Sequence, residues 1–387
     1  MSKKDSLTPL KMLLFSFHAT NTIIISFLPL YLKAKGLNAT EIGWVLAVGP
    51  LASIFSQPFW GYMSDKYKTV KRILLICIIG LIMSSIVFFQ MNGLLAILIM
   101  GAVFYFFTSP IGGLGDSLAQ RRAHDLGVSF GTIRTWGSIG FATSSLIIGE
   151  FLRRTDIEYM IYPYLFFGVI ALIITFRLKD VEVDSDPIQL KDVKQLLQNK
   201  PFILFMLFMM LLTITHRTND SFIGLYIAQL GGGEELVGLS WFVSVISEAA
   251  IFATAGLWFR KYHPIVFVII SGAFYSLRWF LFAAASSPVE IIGLQFLHGL
   301  TFAIFYLASF DYISRLIPRL LQSTGHLVYY SVFFGISGII GSLAGGAIID
   351  AFDAPTLYFG MGCLATVGTI ALTIYHILPW GKRAPHQ

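Results

Sequence analysis

Residues Met12–Lys33, MLLFSFHATNTIIISFLPLYLK, run without a formal charge until the final lysine. About 20 apolar residues is the length an α-helix needs to cross the hydrocarbon core of a bilayer. Eleven further stretches of the same kind follow: residues 40–63, 71–90, 94–118, 127–149, 159–177, 201–229, 235–259, 264–284, 288–314, 322–349 and 355–379. The pattern predicts an all-α membrane protein of twelve transmembrane helices. Composition points the same way. Of 387 residues, 56% are hydrophobic and 12% charged, against about a quarter charged in a soluble domain, and the mean hydropathy is +0.75.

The polar segment Lys179–Lys200, KDVEVDSDPIQLKDVKQLLQNK, divides the spans into two sets of six, with an amphipathic piece expected around Leu190–Leu197. The expected organisation is an N-terminal bundle (1–178), a cytoplasmic linker (179–200) and a C-terminal bundle (201–387). Lys and Arg accumulate on the cytoplasmic side of membrane proteins. With both termini inside, that side holds 20 of the 27 basic residues, and Lys33, Lys35, Arg153 and Arg154 are the exceptions outside. Arg134, Arg217 and Arg278 fall within spans. The net charge of +6 is thus a topological signal and not a nucleic-acid footprint. The opening MSKKDSLTPLKM lacks a signal-peptide cleavage pattern, so the first helix is expected to stay. Cys77 and Cys363 both lie in apolar spans, which argues against disulfide or zinc chemistry.

Shifting the chain by 195 residues lays Gly61, Lys66 and Tyr67 on Gly256, Lys261 and Tyr262, and Asp116 on Asp311. Such a repeat predicts two parallel six-helix halves with a solute site near the bilayer midplane. Gly137 and Gly140, and Gly335, Gly338, Gly341 and Gly345, recur at three- or four-residue steps, as surfaces for close helix packing do.

The stretch Gln57–Arg72, QPFWGYMSDKYKTVKR, resembles the loop signature G-x-L-A-D-R-x-G-R-R of the major facilitator superfamily, placed after helix two as in that family. It matches at Gly61, Met63, Ser64, Asp65 and Lys66, whereas Lys68 and Thr69 stand at the usual Gly and Arg positions. FLPLYLKAKGLNATEIGWVLAVGPL, FGTIRTWGSIGF and QFLHGLTFAIFYLASF resemble helices one, five and ten of the 3-phenylpropionate permease group, relatives of the lactose and nucleoside proton symporters. The resemblance implies the major facilitator fold and a gate role for Asp65. In the lactose permease an acid, an arginine and a histidine on helices eight, nine and ten sit together in the coupling region, which the likeness carries to Glu248, Arg278 and His298. It also implies that Arg134 contacts solute with Asp116 as its partner. The helix-five run Gly131–Gly149 lacks the proline of the Gly-Pro motif of drug antiporters.

The polar residues inside the spans argue independently, because a charge at membrane depth faces a cavity or a partner. At 1.5 Å rise per residue, Glu248 lies roughly 20 Å from either end of its span, Arg278 about 20 Å and His298 roughly 15 Å into theirs. A carboxylate paired with Arg278 stays ionised and one desolvated without a partner takes up a proton, so Glu248 is the expected proton carrier, with Arg278, His298 and Asp220 in the coupling set. His298 shares a helical face with Gln295, Phe302, Phe305, Tyr306 and Ser309. The expected solute contacts are Arg134, Trp136, His18, Asn21, His216 and Tyr306, and the gate residues are Asp65, Asp116 and Asp311. Asp116 and Asp311 each precede an arginine, Arg121 and Arg315, and could instead form end-of-helix pairs. His216, Arg217 and Asp220 could form a self-contained polar patch.

No metal motif is present, no cofactor is expected, and no nucleophile with a base suggests an enzyme. The expected protein is a monomeric, multi-pass transporter in a bacterial cell membrane, both termini cytoplasmic, in contact with lipid, a small solute and protons but not nucleic acid. It imports an aromatic acid, sugar or nucleoside by proton symport with alternating access. The alternatives are proton-linked efflux of amphipathic compounds and a non-transporting sensor.

Overall fold

A computed structural model describes residues 7–180, 196–318 and 321–378. Most of the expected amphipathic piece of the linker, at 190–195, lies outside the described residues, as does the C-terminal GKRAPHQ. The described residues are helical, with turns and no strands. The first six helices are α1 (Thr8–Ala34), α2 (Ala39–Lys66), α3 (Val70–Phe88), α4 (Leu94–Asp125), α5 (Phe130–Arg154) and α6 (Ile161–Arg177). The second six are α7 (Lys200–Gln229), α8 (Glu234–Trp258), α9 (Pro264–Ala283), α10 (Pro288–Leu316), α11 (Gln322–Tyr330, continued by Ser337–Ala351) and α12 (Ala354–Ile377). Eleven of them are long and apolar enough to cross a membrane. The twelfth, α5, carries Arg134, Glu150, Arg153 and Arg154 along its 25 residues, which lowers its hydropathy.

The helix ends follow local chemistry. Asn38 accepts from Glu41 N at 2.9 Å while Glu41 accepts from Asn38 N at 3.0 Å, a reciprocal cap that starts α2. Asn199, Ser287 and Asp353 cap α7, α10 and α12 in the simpler way. Two helices depart from α geometry. Helix α10 passes through a π turn at Gly299–Ala303, and α11 through one at Ser331–Ile336.

Contacts divide the chain into two compact units, residues 1–187 with 233–242, and residues 188–232 with 243–387. In the first, α1 packs on α5 and α6, and α3 on α4 and α6. In the second, α7 packs on α11 and α12, and α9 on α10 and α12. These are the same pairings between repeat mates, so the internal repeat of the sequence is a repeat of packing. Glycine makes one matched pair possible. A Cβ at Gly140 of α5 would stand 2.8 Å from the Phe15 Cα of α1, and one at Gly341 of α11 would stand 3.0 Å from the Thr218 N of α7. Backbone meets backbone at both crossings.

Candidate functional site

The loop after α2 shows why the signature is only half kept. Lys68 has φ +50°, the one described non-glycine residue in the left-handed region. It stands where the resembling loop carries glycine, which adopts that conformation at no steric cost. Thr69 then caps α3, accepting from Arg72 N at 3.2 Å. A residue the sequence reading passed over completes the turn: Asp180, just after α6, accepts from Val70 N at 3.2 Å and Lys71 N at 3.0 Å and bonds the Thr69 hydroxyl. A carboxylate on the first turn of a helix satisfies its free N–H groups and its dipole. Asp65 lines a cleft of about 210 Å³ together with Gln57, Ser64, Ser117 and Arg121.

In the first unit, Arg134 Nε lies 3.4 Å from Asp116 Oδ1, the partnership that the resemblance implied. His18 of α1 comes to the same place, because a Cβ at Gly137 would stand 2.6 Å from Arg134 Nη1 and 2.8 Å from His18 Nε2. The bare face of Gly137 is what admits both side chains. Trp136 does not join them. Two helical steps turn it to the opposite side of α5, where the Lys11 ammonium lies 5.9 Å from its ring. Asn21 sits half-buried one turn beyond His18.

In the second unit, Arg278 of α9 is wholly buried. Its guanidinium donates to His298 Nδ1 at 3.2 Å, to Thr301 Oγ1 at 3.1 Å and to Gln295 Oε1. Its flat face lies 4.8 Å from the Trp279 ring and 5.2 Å from that of Phe282, the stacking a planar cation favours. Glu248 of α8 does not bond Arg278 directly. Its Oε2 lies 3.8 Å from His298 Nε2, so the histidine stands between acid and arginine.

That arrangement dictates a tautomer. A guanidinium can only donate, so the His298 Nδ1 facing it accepts, and the ring proton rests on Nε2, toward Glu248. A second histidine–acid couple lies in the same unit. His216 Nδ1 faces the Tyr275 hydroxyl at 3.2 Å, and His216 Nε2 faces Asp220 Oδ2 at 3.6 Å. Asp220 also accepts from Arg217 at 2.7 Å. Phe302 stacks on both imidazoles, 4.8 Å from His216 and 5.4 Å from His298. The π turns place these aromatics. Phe302 lies in the turn of α10, and Phe333, in the turn of α11, packs against Phe302 at 6.0 Å and His216 at 5.6 Å. Such turns insert one residue into a helix and occur often at functional sites.

The Tyr306 hydroxyl bonds that of Tyr330 at 2.5 Å, one turn along α10 from Phe302. Asp311 binds Arg315 of its own helix at 2.9 Å, unlike its repeat mate Asp116, which reaches across to α5. Tyr275 and Tyr330 were missed by sequence reasoning. Tyr275 was recoverable, lying three residues before Arg278 on the same face; nothing local marks Tyr330. Among the described residues no group of three or more His, Cys, Asp or Glu could hold a metal ion.

Membrane-length helices in two sets of six with matching packing, and ionisable groups at membrane depth, define a multi-pass membrane transporter. Residues 7–359 match the MFS_1 like family, and the chain belongs to it. It is 28% identical over 369 residues to the uncharacterized transporter YwbF of Bacillus subtilis (strain 168), covering 94% of this chain and 91% of that one. It is 24% identical over 365 residues to the maltose permease of Geobacillus stearothermophilus, covering 94% and 92%. Its fold superposes on a mutant form of the nucleoside transporter NupG with TM-score 0.88 at 19% identity, over 95% of this chain and 99% of that one. These relatives are transporters, a non-enzymatic class.

Proposed function

We propose that this protein is a solute:proton symporter that imports a small organic solute across the bacterial cell membrane by alternating access, with both termini cytoplasmic. The observation that carries the reading is the chain Arg278–His298–Glu248. Arg278 holds His298 neutral with its proton on Nε2, and that proton points at Glu248 across 3.8 Å. Glu248 is the member of the chain whose side chain keeps appreciable access, 23% against 6% for His298, so it can exchange a proton with water while His298 steadies its ionised form by donating from Nε2. Ionised Glu248 suits the state in which His298 donates to it. Protonated Glu248 suits a state in which a helix shift has withdrawn that donor. Within the first unit Arg134 and His18 are the candidate solute contacts, within the second the His216–Phe302 stack and Tyr306 are, and Asp65 belongs to the gate.

Glu248→Gln keeps the shape and removes the titration. In liposomes holding a pH-sensitive dye, solute addition is expected to acidify the lumen with the wild-type protein and not with Glu248→Gln, while solute counterflow, which needs no net proton movement, survives. Acidification that persists in the variant refutes Glu248 as the carrier.

A further inference from the structure

From the balance of buried charge we infer that the solute is uncharged and rich in hydroxyls, of the sugar or nucleoside kind, and not an organic acid; this rests on the symport reading above. A guanidinium or ammonium recognises a carboxylate best where no other acceptor or carboxylate already offsets its charge. Three arginines lie inside the spans, and each is engaged. Arg134 is paired with Asp116. Arg217 is paired with Asp220. Arg278 divides its donors among Gln295, His298 and Thr301, with Glu248 on the far side of the histidine.

Taken unit by unit, the formal charge closes to zero. Among these groups the first has Arg134 and Asp116, the second has Arg217, Arg278 and Arg315 against Asp220, Glu248 and Asp311, and His298, whose Nδ1 faces a guanidinium, is held as a neutral tautomer. An anion entering either group would meet a carboxylate beside Arg134 and Arg217 and, at Arg278, a guanidinium already surrounded by neutral acceptors, and desolvating it there would go uncompensated.

The groups left over point to the same chemistry. Arg217 Nε and Arg278 Nε are donors without partners, while Asp116 Oδ1 and Asp220 Oδ1 are acceptors without hydrogen bonds. Unbonded donors and acceptors are therefore both present in the second unit, and Asp116 Oδ1 and His18 Nε2 are unbonded in the first. A hydroxyl both donates and accepts and can satisfy either kind, whereas a carboxylate only accepts and would face Asp116 and Asp220 as one acceptor against another. The aromatic faces of Phe302 and Tyr306 suit the apolar face of a sugar or a base, again without charge.

Charge movement tests this. A proton carried with an uncharged solute moves one positive charge, and a proton carried with a monocarboxylate moves none. Proteoliposomes of the full-length protein would be challenged with maltose, uridine and 3-phenylpropionate on a solid-supported membrane, reading current and lumenal pH together against protein-free vesicles. The expected result is acidification with inward positive current for maltose or uridine, and nothing above control for 3-phenylpropionate. Acidification by 3-phenylpropionate without current would overturn the inference and leave symport standing. Counterflow of maltose or uridine with neither current nor acidification would instead overturn symport.

An independent measurement uses Asp116→Asn and Asp220→Asn, each of which frees a guanidinium. Both variants are expected to gain thermal stabilisation by 3-phenylpropionate that the wild type lacks, with an apparent affinity roughly ten- to a hundredfold tighter, as one charge-assisted hydrogen-bonded pair is worth. Equal stabilisation of the wild type and both variants would contradict the inference.

Discussion

Lys68 and Arg278 show two ways in which one residue is held against its own preference. Lys68 carries a side chain in the left-handed region, which costs an L-residue about 1–2 kcal/mol. Lys68→Gly is therefore expected to stabilise the protein by about 1 kcal/mol, part of the relief being lost to glycine's extra freedom when unfolded. A higher midpoint in thermal unfolding of the detergent-solubilised protein is the check. Arg278 is a cation with no exposed surface, kept by three hydrogen-bond acceptors and two aromatic faces. Arg278→Lys keeps the charge but not the fork, so Gln295, His298 and Thr301 cannot all be reached. We expect a loss of about 3 kcal/mol of stability, from buried acceptors left without a donor, and a loss of solute-driven acidification.

At the scale of the helix, close approach and irregularity are both used. The crossing of α7 and α11 has no room for a side chain at Gly341, since a Cβ there would lie 3.0 Å from Thr218 N and 3.1 Å from Ile214 O, both backbone atoms. Gly341→Ala must therefore push the helices apart, with an expected cost of about 1–3 kcal/mol. Circular-dichroism melts of Gly341→Ala beside Gly360→Ala, on α12 with open space around it, separate this crowding from a general effect of replacing glycine. Helix extents were legible from sequence because the apolar runs are long and polar caps such as Asn38, Thr69 and Asp353 stand at their starts. The π turns of α10 and α11 were not legible. Their residues, Gly299–Ala303 and Ser331–Ile336, differ little in composition from ordinary membrane helix, and the extra residue is accommodated through packing among Phe302, Phe333 and His216.

For the whole molecule, charge sets the topology. Arg153 and Arg154, which the proposed orientation puts outside and so against the basic bias, both bind Glu150, at 2.8 and 2.6 Å. Glu150 offsets one of their two charges on the spot. A cysteine placed at Thr155 is expected to react with a membrane-impermeant maleimide in intact cells, and one at Leu126 only after permeabilisation. The reverse pattern would invert the orientation.

What the chain alone determined is the twelve-helix architecture and the identity of the charged residues at membrane depth, because both follow from the cost of placing polar groups in hydrocarbon. The repeat was legible for the same reason, through loop and helix-end residues such as Lys66, Lys261, Asp116 and Asp311. Who pairs with whom was decided only by the tertiary structure. Asp116 and Asp311 occupy matched positions, yet one crosses to Arg134 and the other folds back on Arg315. Glu248 meets His298 and not Arg278. Trp136 turns away from the arginine two residues before it. A hydrogen bond depends on direction and on tenths of an ångström, and helix rotation and the two π turns set those quantities through packing across the bundle.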